Sequence, residues 1–506
     1  MRIYLWQSIS IVLGFVSLFV VIPYLSSNKT IYGIYSVCTS LTIFFSYADL
    51  GFLSSGVKYA AEYYIKKDIV NEIKIVGFTS FIMVIVFLLI NCSIIIFGCF
   101  PRLIIPEIEI GSEEFQIARS ILFLLAVGCP AIIAQRLLNI IYTVRVEDYK
   151  FQRLVIIGSV VKILSVLYFF SNGRYRLVEY YAFTQIVNYA VSLIALFQIR
   201  NYGYSIKLFI SSFRFDKEIF NKVKAITGAS FLGVLGTVLY NELDQIAISN
   251  LYGVEAVALY AVAFSLMTFI RTFSALVYSP YTSRYNHFIG LADYNGLSEF
   301  HGKVIVTMAP VLVLPIVGVA LYSSPFVISW VGEEYSGSAF LMSLLVLSYV
   351  PNFLTQPSSN YLLSTERAKV LSFVAVLLPI FYWVGIVILS NTLGVKSFAL
   401  MKFLAPVLIA PITWITVCRD VNERGNKVRG LWPVLKTLVV PILFSVGLYF
   451  VVNPIMKYTH SKIALFFNMC IIVITILISL LVSLFTNRDL RLMVLSYVKD
   501  IKNKIL

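Results

Sequence analysis

Apolar runs of about 18 residues or more recur fourteen times along this 506-residue sequence. They fall near 5–25, 32–53, 75–100, 116–143, 154–171, 180–199, 225–250, 256–279, 304–323, 338–355, 370–391, 397–417, 437–456 and 463–486. Hydrocarbon offers no partner for a backbone N–H or C=O, and a helix satisfies both internally. Charged residues are only 13% of the chain, against roughly 25% in a soluble domain. The expectation is an all-α polytopic membrane protein of about 14 transmembrane helices. The first run follows Arg2, ends Pro23-Tyr24-Leu25 and lacks a small-residue cleavage site, so it reads as an uncleaved helix.

A net charge of +15 raises the question of a nucleic-acid partner. The placement of the charge argues against one. With the N-terminus in the cytoplasm, 28 of the 40 Lys and Arg residues fall in cytoplasmic segments, 7 in outer loops and 5 within spans. Lys/Arg excess in short loops marks the cytoplasmic side, so the basic balance reports an N-in, C-in orientation with some attraction to anionic membrane lipids. Both termini are expected on the cytoplasmic side of the membrane. The longest outer loop, 101–115, is too short to fold a domain of its own.

The chain also repeats itself. Pro130, Gln135 and Asn139 recur with the same internal spacing as Pro351, Gln356 and Asn360, and Ile34 to Leu41 aligns with Leu259 to Leu266 at nearly the same offset. Weak internal symmetry in apolar sequence is how transporters built from two halves appear. The expected organisation is an N-lobe (1–200), a basic amphipathic linker (201–224) and a C-lobe (225–418). The segment 419–506 then supplies two accessory helices and a basic tail. The two lobes are six-helix and pseudo-symmetric.

Ionisable groups inside a span are costly, roughly 2.5 to 3.5 kcal/mol each on insertion scales, and are functional candidates. Arg119 and Arg136 lie close enough to their helix ends to snorkel. Lys402 divides evenly between snorkelling and function. Lys162 and Arg271 lie deeper, where a hydrated cavity or an anionic partner is the better explanation. Asp49, Glu242 and Asp244 are the candidate ion-coupling carboxylates. Taken as one helix, the segment Tyr240 to Gln245 places Asn241, Asp244 and Gln245 on one face. Pairing of Glu242 or Asp244 with a helix neighbour such as Arg271 is the competing reading. Gln135/Asn139 and Gln356/Asn360 are i, i+4 amide pairs that suit sugar hydroxyls and equally suit interhelical packing.

Catalysis has little support. The three histidines form no HEXXH pattern, the six cysteines form no CxxC pair, and neither a P-loop nor a nucleophile elbow is present. No cofactor or metal is expected.

Several stretches resemble a known family. Asn28-Lys29-Thr30-Ile31-Tyr32-Gly33-Ile34-Tyr35, Asp49-Leu50-Gly51-Phe52 and Lys58-Tyr59-Ala60-Ala61-Glu62 are similar to the polysaccharide flippases, especially the O-antigen flippases, of the multidrug/oligosaccharidyl-lipid/polysaccharide exporter superfamily. Asp244, Leu251-Tyr252-Gly253-Val254, Tyr260 and Trp330-Val331-Gly332 resemble its second half. The resemblance covers about residues 1 to 420. It implies two lobes around a central cavity, alternating access, and movement of an undecaprenyl-diphosphate-linked oligosaccharide to the outer leaflet. On that reading Lys162 and Arg271 meet the diphosphate, Lys402 is a further substrate-binding residue, the four amides meet sugars, and a polysaccharide polymerase and chain-length regulator are pathway partners. The rivals are a drug or cation antiporter of the same superfamily, using Asp49, Glu242 and Asp244, and a membrane polymerase or acyltransferase. The last would need a large outer loop or a histidine motif that the sequence lacks.

Overall fold

In the computed structural model, residues 2–171, 173–199, 202, 205–424, 431–488, 490–492 and 495 are described. All regular structure among them is helical. They form two compact units, divided after Ala261.

The first unit contains α1 (Arg2–Leu25), α2 (Lys29–Ser40), α3 (Thr42–Tyr47), α4 (Phe52–Ile65), α5 (Ile69–Cys99), α6 (Glu113–Val144), α7 (Asp148–Phe169), α8 (Leu177–Ile199), α9 (Ile206–Ser212), α10 (Lys217–Asn241) and α11 (Asp244–Tyr252). Helix α12 (Val254–Gly290) carries the division, and the second unit continues with α13 (Tyr294–Leu321), α14 (Ser323–Val331), α15 (Ser338–Leu347), α16 (Asn352–Ser364), α17 (Ala368–Leu393), α18 (Lys396–Glu423), α19 (Leu431–Val452) and α20 (Lys462–Thr486). Short polar residues start many of them. Asn28, Asp68, Ser112, Asp216, Asp293 and Ser461 each accept a backbone N–H of the first turn, satisfying donors that a helix start leaves open.

Among the described residues, twelve helical segments are long and apolar enough to cross a membrane. The remaining two of the fourteen expected runs, 32–53 and 225–250, are broken helices. The first breaks at Leu41 and ends at Tyr47, shortly before Leu50 and Gly51, which both take the left-handed conformation, with φ 48° and 83°. The second stops after Asn241 and restarts at Asp244, so Asn241, Asp244 and Gln245 do not share the continuous helical face expected of them. Pro351 likewise falls at the junction of α15 and α16, whereas α6 runs unbroken through Pro130.

The duplication is visible in helix register. The starts of α2, α5 and α6 (Lys29, Ile69, Glu113) recur at one common offset as those of α12, α13 and α15 (Val254, Tyr294, Ser338). Those of α7 and α8 (Asp148, Leu177) recur as Ala368 and Lys396, slightly short of that offset. The loops agree as well. Lys67, Val146, Ala292 and Glu366, each preceding α5, α7, α13 or α17, are all non-glycine residues at positive φ. In each, the next residue's N–H returns to a carbonyl five residues earlier, which closes the helix end as a glycine-capped terminus would.

Lipid-facing helix surfaces are apolar, as Leu89 at 66% and Val387 at 72% exposure illustrate. Inside the second unit, α19 and α20 pack on α13, with Val434 and Leu438 against Ile305 and Val306. Buried Asn468 fixes α20 by donating to the Pro325 carbonyl at 3.1 Å and the Lys457 carbonyl at 2.8 Å. The linker phenylalanines Phe213 and Phe215 pack on Phe81 and Phe78 of α5. Residues 425–430 and most of the basic tail, 488–504, lie outside the described residues.

Candidate functional site

In the first unit, three helices bring polar side chains together within the apolar span. Lys162 of α7 donates to the Asn188 side-chain oxygen at 2.6 Å, and the Asn188 amide donates to the Gln185 side-chain oxygen at 3.2 Å. Gln135 of α6 donates to the Asn188 carbonyl at 3.0 Å and the Ser192 hydroxyl at 3.2 Å. Room for this network is made by Gly128, where a Cβ would overlap the Gln185 side-chain oxygen. Two predicted residues, Lys162 and Gln135, thus meet through Asn188. Sequence reasoning missed Asn188, Gln185 and Ser192. Their spacing on one face of α8 was the signal available.

The acceptor for Lys162 is neutral. An ammonium carries three donors, so the amide of Asn188 leaves capacity for an anionic ligand. Asn139, one turn beyond Gln135, is half-buried on α6. The repeated amides of the second unit stand differently. Asn360 is buried and its amide nitrogen has no hydrogen-bond partner among the described residues, while Gln356 is half-buried.

The carboxylates sit at helix breaks. Asp49 precedes the left-handed pair Leu50-Gly51 and lies in the electrostatic field of Arg136, which sequence position alone assigned to snorkelling. Glu242, 6% exposed, closes α10 and accepts from the Tyr47 hydroxyl at 3.2 Å. Asp244, 1% exposed, opens α11, where the helix dipole favours a negative charge, and accepts a hydrogen bond from the Tyr260 hydroxyl. Both carboxylates are enclosed rather than presented to solvent.

Of the remaining cations, Lys402 is completely buried in α18, 4.5 Å from the Tyr382 ring centroid and 5.9 Å from that of Phe264. Aromatic faces offer a desolvated ammonium quadrupole attraction in place of water. Arg271 is half-buried on α12. Arg119 is exposed at the start of α6 beside Phe123, as a snorkelling residue would be.

Two buried ionic clusters escaped sequence reasoning. Glu72 of α5 pairs with Arg145 at 2.8 Å, and Arg145 also faces the Tyr64 and Tyr202 rings. In the second unit Asp420 accepts from Arg424 at 3.0 Å and Tyr361 at 2.7 Å, and pairs with Arg367 at 2.5 Å. Each cluster ties a helix end to a helix distant in sequence. Spacing along one segment cannot announce that.

No family model matches the sequence, and no curated protein matches it. Solved structures do. The lipid II flippase MurJ in an inward closed conformation superposes with a TM-score of 0.71 at 12% identity, over 94% of this chain and 97% of its own. An inward-facing multidrug resistance MATE transporter of the MOP superfamily gives 0.66 at 13% identity, over 82% of this chain and 95% of its own. The chain shares the fold of these two structures. A further MOP transporter, from Pyrococcus furiosus and described as having a binding pocket of reverse polarity, gives 0.53 at 13% identity, covering 84% and 96%. The shared fold agrees with the all-helical architecture and the duplicated helix register described above.

Proposed function

We infer that this MOP-fold chain is a flippase for an undecaprenyl-diphosphate-linked oligosaccharide, such as an O-antigen or other surface polysaccharide repeat unit. It works by alternating access in the bacterial cytoplasmic membrane, with both termini inside. The observation that carries this reading is Lys162, a cation in mid-span whose hydrogen-bond acceptor is the neutral amide of Asn188. A cation so placed suits an anionic diphosphate, because charge in hydrocarbon needs compensation and a neutral amide supplies none. Gln135, Gln185 and Ser192 beside it offer the donors and acceptors that sugar hydroxyls need. A likeness to a structure named as a lipid II flippase supports the same substrate class. The partners this reading implies are a polysaccharide polymerase and a chain-length regulator acting after delivery.

The test is Lys162→Ala in cells that depend on this chain for surface glycan. Surface glycan falls while protein level holds, and Lys162→Arg restores part of it by keeping the charge. Normal glycan in Lys162→Ala refutes the reading. Arg271→Ala and Lys402→Met extend the same assay to the second unit.

A drug or cation antiporter is the second reading, favoured by the enclosed carboxylates Glu242 and Asp244 and by the likeness to a multidrug transporter. It predicts that Glu242→Gln or Asp244→Asn abolishes drug resistance and leaves surface glycan unchanged. On the flippase reading, Asp244→Asn instead loses export driven by an imposed ion gradient, with Asp49 the next coupling candidate.

A further inference from the structure

A groove of about 800 Å3 opens beside the start of α7, apart from the Lys162 network. Its lining includes Trp6 of α1, Lys150, Arg153, Leu154 and Ile157 of α7, and Tyr202. Along α7, Lys150, Arg153, Leu154, Ile157, Val161 and Leu164 follow one another at three- or four-residue spacing, or are adjacent on the same stripe. The stripe is basic at its head and apolar below. Ile157, Val161 and Leu164 are 52%, 40% and 60% exposed, so the apolar part faces outward from the protein.

Of the two cations that line the head of the groove, Lys150 meets a carboxylate and, among the described residues, Arg153 does not. Lys150 binds the Glu147 carboxylate at 2.8 Å and the Tyr202 hydroxyl at 3.3 Å, which leaves one of its three N–H groups. Burial raises the proton affinity of Glu147, but its bonds from Lys150 and Tyr202 outweigh this and hold the carboxyl below its usual range. Glu147 is therefore ionised and balanced by Lys150. Arg153 is exposed, lies 6.0 Å from the Trp6 ring centroid, and has no carboxylate partner among the described residues. A guanidinium over a ring face keeps its in-plane donors for another acceptor.

We propose that this groove holds an anionic phospholipid, its phosphate on Arg153 and the remaining N–H of Lys150, and an acyl chain along Leu154, Ile157, Val161 and Leu164. Charge complementarity selects the phosphate. The exposed apolar stripe directly beneath selects a lipid over a soluble phosphate, since only a lipid fills both. Trp6 and Tyr202 have the amphipathic rings suited to that depth. The site is independent of the transported substrate.

The test uses the full chain in nanodiscs of phosphatidylcholine with a minor fraction of phosphatidylglycerol, and native mass spectrometry to count retained phosphatidylglycerol. Arg153→Ala lowers the bound fraction about fivefold, the equivalent of about 1 kcal/mol per basic residue at a membrane surface. Arg153→Lys keeps most of it, and Arg119→Glu, a charge change away from the groove, leaves it unchanged. Circular dichroism of each variant checks the fold. Equal retention of phosphatidylglycerol and phosphatidylcholine by the parent overturns the proposal, and so does parental retention in Arg153→Ala. Displacement of the lipid by millimolar inorganic phosphate assigns the site to free anions and also overturns it.

Discussion

Removing the Asp420 carboxylate has a consequence that can be worked out from geometry. That carboxylate is fully buried and serves Arg367, Arg424 and Tyr361 together. Asp420→Ala strands the Tyr361 hydroxyl, a loss of about 1–3 kcal/mol for a buried donor. Breaking a fully buried ion pair costs about 3–5 kcal/mol, but two features reduce it here. The side chains of Arg367 and Arg424 are 37% and 28% exposed and can rehydrate, and Arg367 retains Glu423 at 2.9 Å. The expected net loss is about 3 kcal/mol. Asp420→Asn keeps an acceptor for Tyr361 and loses about half as much. Unfolding in mixed micelles titrated with a denaturing detergent reads these differences. In the double-mutant cycle with Arg424→Ala, a coupling of about 1 kcal/mol is expected. A loss under about 0.5 kcal/mol in Asp420→Ala would show that the cluster is solvated in the working protein, and the argument from burial would fail.

Gly128→Ala drives a methyl into Gln185 and costs about 1–3 kcal/mol of overpacking. Gln185→Ala in the same chain relieves the clash, so recovery of folded protein by the double variant checks the cause. Gly253 has φ 81° and Glu107 accepts the N–H of the next residue, Val254, at 2.5 Å. Gly253→Ala is both strained and in contact with that carboxylate, and a loss of about 1–3 kcal/mol is expected in the same unfolding assay. Asp68 caps α5, and its bonds from Asn71 hold the carboxyl below its usual range. The cap is therefore complete above the ordinary Asp value and is lost as pH falls through the lowered one, whereas Asp68→Asn removes that dependence. Hydrogen exchange at the Asn71 amide, corrected for intrinsic rate, measures it.

The helices that cross as unbroken apolar runs were legible because their composition is dictated locally: hydrocarbon accepts only residues that suit it, whatever the partner helix. The doubling was legible for a related reason. Pro130, Gln135 and Asn139 and their counterparts kept their spacing, and the helix starts of the two units keep nearly the same offset. Even so, the repeated amides proved unequal. Asn139 is half-buried, while its counterpart Asn360 is buried with an amide nitrogen that has no hydrogen-bond partner among the described residues.

Tertiary structure decided the rest, because it concerns which distant residues meet. Helical phasing of Asn241, Asp244 and Gln245 failed where α10 ends, and whether a polar stretch bends or breaks is set by partners such as Tyr47 and Tyr260. Lys402, placed by position within reach of the surface, is fully enclosed by Tyr382 and Phe264. Deep Lys162 was visible as a charge in an apolar run, but Asn188, which fixes its ammonium, stands on another helix. A charge in a span shows in the sequence as an expense. What offsets that expense is chosen by packing between helices, and one-dimensional spacing does not encode it.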